Sequence, residues 1–543
     1  MSNLPLDDPK TGVHRAKLWE IGFFTLNNTS TNAYMMLVAS ISYFLVGIVG
    51  VGAVLAGSIV TVMRIWDGVT DPFVGLIVDN TNTKFGKNRP FIVIGQVILF
   101  TMTFLMFRII PSIPSSGRFI VFILMYAVYI IGYTFQCVVT KSAQTCLTND
   151  PKQRPMFSMF DCCYNIFLMS IFWPVYLSGT MVPKYTLTSA AQGDALNALL
   201  AQHTNLVKVV TEANGVRTLS GLYNPGMWQE AQITVGIIAA VFAVLAIVGL
   251  SRKDNPKYFG IGKAERIGFK DYADVLAHNR GIQMLVVAAS SDKLALNCTS
   301  NSAVTMALFG IIFGNYALNG SMSAITGIPV VLIGVFGMGI IARNMGQKKC
   351  LVTGTIGAIL AAIALGLLIT FGHDIGMSLP TFGITKPATW AGLFNGANWN
   401  IIGVAFVLIY ILMKGFSQLS SSIVIPMTAD CADYEVYRSG RYVPGLMGTL
   451  FSFVDKLISS LSATLVAVVF AVIGYTSTLP TQADPFTTGV LICTLVCYLG
   501  MPMIGWILNL VAMKFYPLTK EKMEEIQDEI ARIKNEAKAK SAV

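Results

Sequence analysis

Charge is what this sequence has little of. Of its 543 residues only 12% are Asp, Glu, Lys or Arg, about half of the roughly 25% usual in soluble chains. So few ions cannot cover a surface that meets water on every side, which excludes a soluble globular fold. Histidine is scarcer still: the four lie far apart in sequence, and no HExxH, phosphate-cradling glycine loop or metal-spaced Cys/His set occurs. The nine cysteines contain no CxxC pair and leave the long loops untouched, so no disulfide framework is implied. A formal net charge of +10 is present, but no basic patch is interleaved with aromatics, and nucleic acid is not a partner the sequence suggests.

What is there is apolar residue, 54% of the chain, gathered in runs. About 20 mostly apolar residues span a bilayer. Twelve such runs lie near 18–46, 51–79, 90–111, 118–146, 156–180, 229–251, 281–313, 321–342, 350–371, 398–427, 444–474 and 485–513. The first is too long for a cleaved signal peptide, lacks a small-residue cleavage site and holds NNTSTN. Positive residues are retained in the cytoplasm, and about 27 of the 38 Lys and Arg fall on the side of the termini and even-numbered loops. The expectation is a multi-pass protein of the plasma (cytoplasmic) membrane with both termini cytoplasmic. The surplus positive charge then reads as topology.

The hydrophilic stretch 251–280 divides twelve runs into six and six. The expected units are a six-helix bundle over 1–250 with an outer segment 181–228, a middle loop 251–280, a second bundle over 281–514 and a cytoplasmic helical tail over 515–543. TKFGKNRP after span two is echoed by RNMGQKKC after span eight, each with a turn glycine, Gly86 and Gly346, among basic residues. Two six-helix bundles with matching loops are the pattern of the all-α major facilitator fold, with its substrate site at mid-membrane between the halves. Within 181–228, Leu196, Leu199, Leu200, Leu206, Val209 and Val210 recur at helical spacing and Asn214-Gly215 supplies a stop. That segment is either an amphipathic helix resting on the outer face or a lid over the vestibule. The tail reads as a soluble charged helix with Met523, Ile526, Ile530 and Ile533 on one side.

The charges inside the membrane carry the chemistry. RIWDGVTDPFVG, residues 64–75, places Arg64, Asp67 and Asp71 within an apolar run. One charge at the bilayer centre costs about 2.5–3.5 kcal/mol, so three together need partners, an ion or a wet cavity. At helical spacing Arg64, Asp67, Asp71 and Gly75 share a face. Two carboxylates one turn apart resist joint ionisation, so the pair takes up a proton or recruits a cation. The bland alternative is that Arg64 merely neutralises them. Pro72 removes a backbone donor and is expected to loosen the helix. Asp455 and Lys456 lie about three turns into span eleven, where Lys456 is placed to answer the span-two acids across the halves. Asp430, Asp433, Arg438 and Arg441 sit at a membrane edge, as a salt-bridged gate, to which Arg64 also belongs, or as a solvated loop. Asp292-Lys293 in span seven reads as a local ion pair.

RIWDGVTDPFVGLIVDNTNTKFGKNRP, LTNDPKQR and ADCADYEVYRSGRYVPGLMGTLFSFVDKL together resemble the helix-two, helix-four loop and helix-eleven signatures of the glycoside-pentoside-hexuronide cation symporters, and the similarity covers all twelve spans in order. The resemblance implies that Asp67 and Asp71 ligate a coupling cation, Na+ or H+, that Thr134 supplies a ligand hydroxyl and that Lys456 lies beside that site. Thr70 stands where melibiose-transporting members carry an asparagine ligand. The sugar-binding aspartates, tryptophan and arginine of those members correspond to Thr29, Cys137, Lys141 and Cys162 here, so their sugar site is not retained. In its place Asn27, Asn28, Thr29 and Asn32 form a polar belt on span one, with Gln136 and Lys141 on span four and Asp161 on span five. Lys141 either snorkels to the headgroups or lines the cavity and favours an acidic sugar. The expectation is a monomeric symporter coupling a glycoside, pentoside or hexuronide to a monovalent cation, without cofactor and with no metal beyond Na+ at Asp67 and Asp71. The alternatives are an uncoupled facilitator and, remotely, a membrane-embedded enzyme.

Overall fold

The computed structural model describes residues 7–8, 13–81, 83–148, 153–213, 215–255, 276–381, 392, 395–439, 454, 456–526, 528–529 and 532. Nine helices among them are long and apolar enough to cross a membrane: Ala53–Gly75, Arg89–Ser112, Ser115–Gln144, Met159–Tyr185, Pro225–Leu250, Ala317–Gly334, Gln347–Ile375, Ile401–Ser422 and Thr488–Phe515. Two bent pairs, Leu18–Ala39 with Ile41–Val49 and Arg280–Thr299 with Ser302–Ile312, supply spans one and seven. The shorter apolar helix Lys456–Ala471 stands where span eleven is expected. Leu55, Val62, Ile237, Val244, Leu360 and Leu408 remain exposed on the outside of the bundle, as lipid-facing side chains must.

The bends fall at equivalent places, the first span of each half, at 43° and 46°. Neither involves proline. Asn301 restarts its helix by accepting the Ala303 N–H at 3.0 Å, and Ser40 meets Ser302 at 2.7 Å between hydroxyl oxygens, so the two bends touch across the halves. Span two, by contrast, runs as one helix over Ala53–Asn80, straight through residue 72. The expected loosening there is absent from the backbone.

The halves approach closely along two seams. A Cβ on Gly57 of span two would lie 2.6 Å from the Ala463 carbonyl of span eleven, and one on Gly320 of span eight 2.7 Å from the Ser178 hydroxyl of span five. Only a residue without a side chain permits such backbone contact. At the face opposite the termini, here the distal face, Tyr43 donates to the Pro480 carbonyl at 2.8 Å and Tyr223 donates to the Leu479 carbonyl at 3.0 Å while accepting its N–H at 2.8 Å. Thr211 donates to Asp484 at 3.0 Å. These bonds sew the halves together on the distal side.

The long distal segment departs from the expected single helix. A helix Ser189–Gln202 is followed by a 3-10 stretch Thr204–Val209 and a hairpin of Thr211–Ala213 with Val216–Leu219, to which Leu187–Thr188 adds a third strand. Leu196, Leu200, Leu206 and Val209 are buried as their spacing suggests, but Gly215, at φ 73°, turns a hairpin rather than stopping a helix. The tail is not free either: Ile526 is fully buried, in one cluster with Met427, Tyr516 and Leu518. Asp455, Arg441, Ile530 and Ile533 lie outside the described residues.

Gly86 and Gly346 both take positive φ, 103° and 85°, as the paired loops require. In the first, the Asp254 carboxylate accepts the backbone N–H groups of Lys87, Asn88 and Arg89 at 3.0–3.2 Å, which ties the GKNRP loop to the end of span six.

Candidate functional site

One turn of span two and one of span eleven meet between the two halves. Lys456 Nζ lies 2.6 Å from Asp71 Oδ2 and 3.3 Å from Asp67 Oδ2, and Arg64 Nη1 lies 3.8 Å from the same Asp67 oxygen. Thr134 of span four points its hydroxyl at Asp67 Oδ1, 3.3 Å away, and stands 3.2 Å from the Thr70 hydroxyl. Thr70 also donates to the Asp67 carbonyl at 3.0 Å. Asp67, Thr70 and Thr134 are buried. The expected face of span two is thus real, and the structure brings Arg64, Asp67, Thr70, Asp71, Thr134 and Lys456 into one cluster. Two acids face two fixed cations, so the cluster is neutral without any added ion.

Above it lies a cavity of about 650 Å³ between the halves, walled by Arg64, Asp67 and Lys456 together with an aromatic set that includes Tyr126, Tyr129, Tyr133, Trp173, Tyr410 and Tyr498. Its polar lining from the second half includes Lys293, Asn297, Asn301, Asn319 and Lys414. This is the volume and mix of aromatic faces with sparse polar groups that suits a small polar ligand.

The residues expected to hold substrate are elsewhere. None of Asn28, Thr29, Asn32, Gln136, Cys137, Lys141, Asp161 and Cys162 is on this wall. Asn28 donates to Asp161 at 2.7 Å and Asn32 to Asn165 at 2.8 Å, which clamps span one to span five. Gln136, fully buried, donates to the Ile92 carbonyl at 2.7 Å, and Asn27 donates to Thr140 at 2.8 Å. Thr29 is buried, Cys162 half-buried and Lys141 exposed. The physical reason is that amides in a membrane helix satisfy one another first, as glue between helices; the sequence alone does not separate glue from lining. Cys137 adjoins the acids closely enough to feel Asp67 and Lys456 electrostatically.

Of the expected gate residues, Asp430, Asp433 and Arg438 fall on a helix, Val424–Ser439, not a loop, while Arg64 belongs to the span-two cluster. Arg438 pairs with Glu435 at 2.7 Å, and the buried Glu435 also accepts from Asn279 at 3.0 Å, so this described pairing stays within the second half. Burial and the neighbouring Asp433 charge push the Asp430 carboxyl up to about 6. Asp292 does not pair with its neighbour in sequence: its oxygens accept the Trp506 indole N–H at 2.8 Å and the Ser421 hydroxyl at 2.9 Å. Glu435, Asp254 and Lys414 escaped the sequence reading, which took Lys293 for a local ion pair, although Lys293 and Lys414, charged residues inside apolar runs, carried the signal that could have placed both in the cavity.

A family model described as MFS/sugar transport protein matches residues 29–520. The chain belongs to this family. Among the relatives of this family member, the glucuronide carrier protein homolog of Escherichia coli (strain K12) is 21% identical over 512 residues, covering 93% of this chain and 94% of that one. The isoprimeverose transporter of Lactiplantibacillus pentosus is 20% identical over 532 residues, 96% of this chain and 94% of that one. The putative glycoside/cation symporter YagG of E. coli (strain K12) is 33% identical over 114 residues, 21% of this chain and 25% of that one. Among solved structures, the nucleoside transporter NupG superposes with a TM-score of 0.55 at 10% identity, covering 93% of this chain and all of that one, which shows the fold alone. The family is that of the glycoside-pentoside-hexuronide cation symporters, within the major facilitator superfamily. Its members are transporters, not enzymes.

Proposed function

We propose that this protein is a secondary symporter that moves a sugar together with Na+ or H+ by alternating access, with the termini in the cytoplasm. The observation that carries the reading is the bridge from Lys456 to Asp71 and Asp67, which spans the two halves at one end of the cavity. A cation arriving at Asp67 and Asp71 competes with the Lys456 ammonium for the same oxygens. Binding therefore releases a tie between the halves, and Thr70 and Thr134 offer hydroxyl oxygens to a sodium ion or a relay to a proton. Sugar seated against both halves restores cohesion. The two ligands thus favour the same state, and each raises the other's affinity by the same factor. The distal seam of Tyr43, Tyr223 and Thr211 must open for the site to face outward.

The test is Asp67→Asn and Asp71→Asn in proteoliposomes. Gradient-driven accumulation is expected to be lost while sugar exchange without a gradient persists; uphill uptake at the original level in both variants would overturn the reading. The neutrality of the cluster supports one second reading, an uncoupled facilitator whose Lys456 permanently satisfies both acids. Uptake indifferent to both sodium and proton gradients would select it.

A further inference from the structure

Lys414 of span ten lines the cavity, and its surroundings differ from those of its fellow cations there. Lys456 is bound to two carboxylates and Arg64 stands beside one. Among the described residues Lys414 has no carboxylate at ion-pairing distance and no hydrogen-bond acceptor. Its ammonium stands over the Tyr410 ring, 5.8 Å from the centroid, a contact that offsets only part of the loss of hydration. Asp292 acts on it through space, but both Asp292 oxygens are turned to Trp506 and Ser421. With Arg64 and Lys456 matched to Asp67 and Asp71, and Lys293 on the same wall engaged in an interaction of its own, Lys414 is the cavity charge left over among the described residues.

A fixed cation in a site that dries on closure is a penalty for any neutral ligand and an anchor for an anionic one. We propose that Lys414 is the counter-ion for a carboxylate on the substrate, so that an acidic sugar is held by the second half with its ring against Tyr410 and Tyr498. Selectivity then resides in span ten, and not in Lys141, which lies exposed and off the cavity wall. The assignment rests on the cavity being the sugar site. It goes further in naming the charge of the sugar and the residue that reads it.

Competition for binding to the purified protein, read by ligand-induced thermal stabilisation, tests it with a matched pair, phenyl glucuronide and phenyl glucoside. The wild-type protein is expected to bind the glucuronide at least about tenfold more tightly. Lys414→Gln should bring the ratio of the two affinities close to one and Lys414→Arg should keep most of it. Equal binding of both compounds by the wild-type protein overturns the proposal without any variant, and leaves the sugar-transport reading intact. A preference abolished by Lys141→Gln instead places the anion in the first half and also overturns it. If neither compound binds while a non-sugar solute does, the cavity is not a sugar site and both readings fall together.

Discussion

Among the described residues, Lys456 is the one whose ion pairs join the two halves. Its ammonium is both partner and competitor: it neutralises Asp67 and Asp71 in this state and blocks them to anything else. Lys456→Ala removes the competitor, so the cation concentration for half-maximal transport is expected to fall at least about tenfold, the equivalent of about 1.4 kcal/mol. Concentration dependence of uptake at fixed sugar measures this, and an unchanged half-maximal value would refute the competition. That these residues converge was legible because charge in an apolar run must be answered. The direction of a lone lysine was not. Lys141 and Lys414 look alike as letters, yet one is exposed and off the cavity wall and the other stands over an aromatic ring in the cavity.

At the scale of elements, proline misleads and arginine is silent. Residue 72 and Pro329 sit within unbroken helices, Ala53–Asn80 and Ala317–Met345, because neighbouring helices in a membrane hold a helix straight where a local donor is missing. The bends occur at Ser40 and Ser300-Asn301 instead, and at the second the short polar side chain of Asn301 offers the backbone a new start. Arg118, at the start of span four, binds three carbonyls at the ends of two other spans at once. Its guanidinium donates to the carbonyls of Ile48 and Ile113 at 2.7 Å and of Pro111 at 3.0 Å. Arg118→Ala leaves three carbonyls near the ends of spans one and three without this donor, and is expected to cost roughly 3 kcal/mol. Denaturant unfolding in detergent checks it. Arg118→Lys should recover less than half, since one ammonium cannot reproduce a planar fork.

Across the whole molecule, the alternating-access mechanism proposed above requires the halves to part on the distal side. Ser40 and Ser302, in oxygen contact at the crossing of the two bent spans, lie on that seam. A Ser40→Cys, Ser302→Cys pair is placed for a disulfide, and oxidation is expected to bring uptake to background, with recovery on reduction. Continued uptake in the oxidised, cross-linked protein would show that this crossing does not open. That the chain is a bundle of apolar membrane-spanning helices and that span two carries an acid pair followed from the sequence itself, because each depends on local hydropathy, spacing or the price of a buried charge. Which polar groups glue helices and which face the cavity was decided only by tertiary structure. Asn28, Asn32 and Gln136 found partners on adjacent helices, while Lys414 lines the cavity between the halves, and that choice depends on how the helices rotate against one another, which no single helix records.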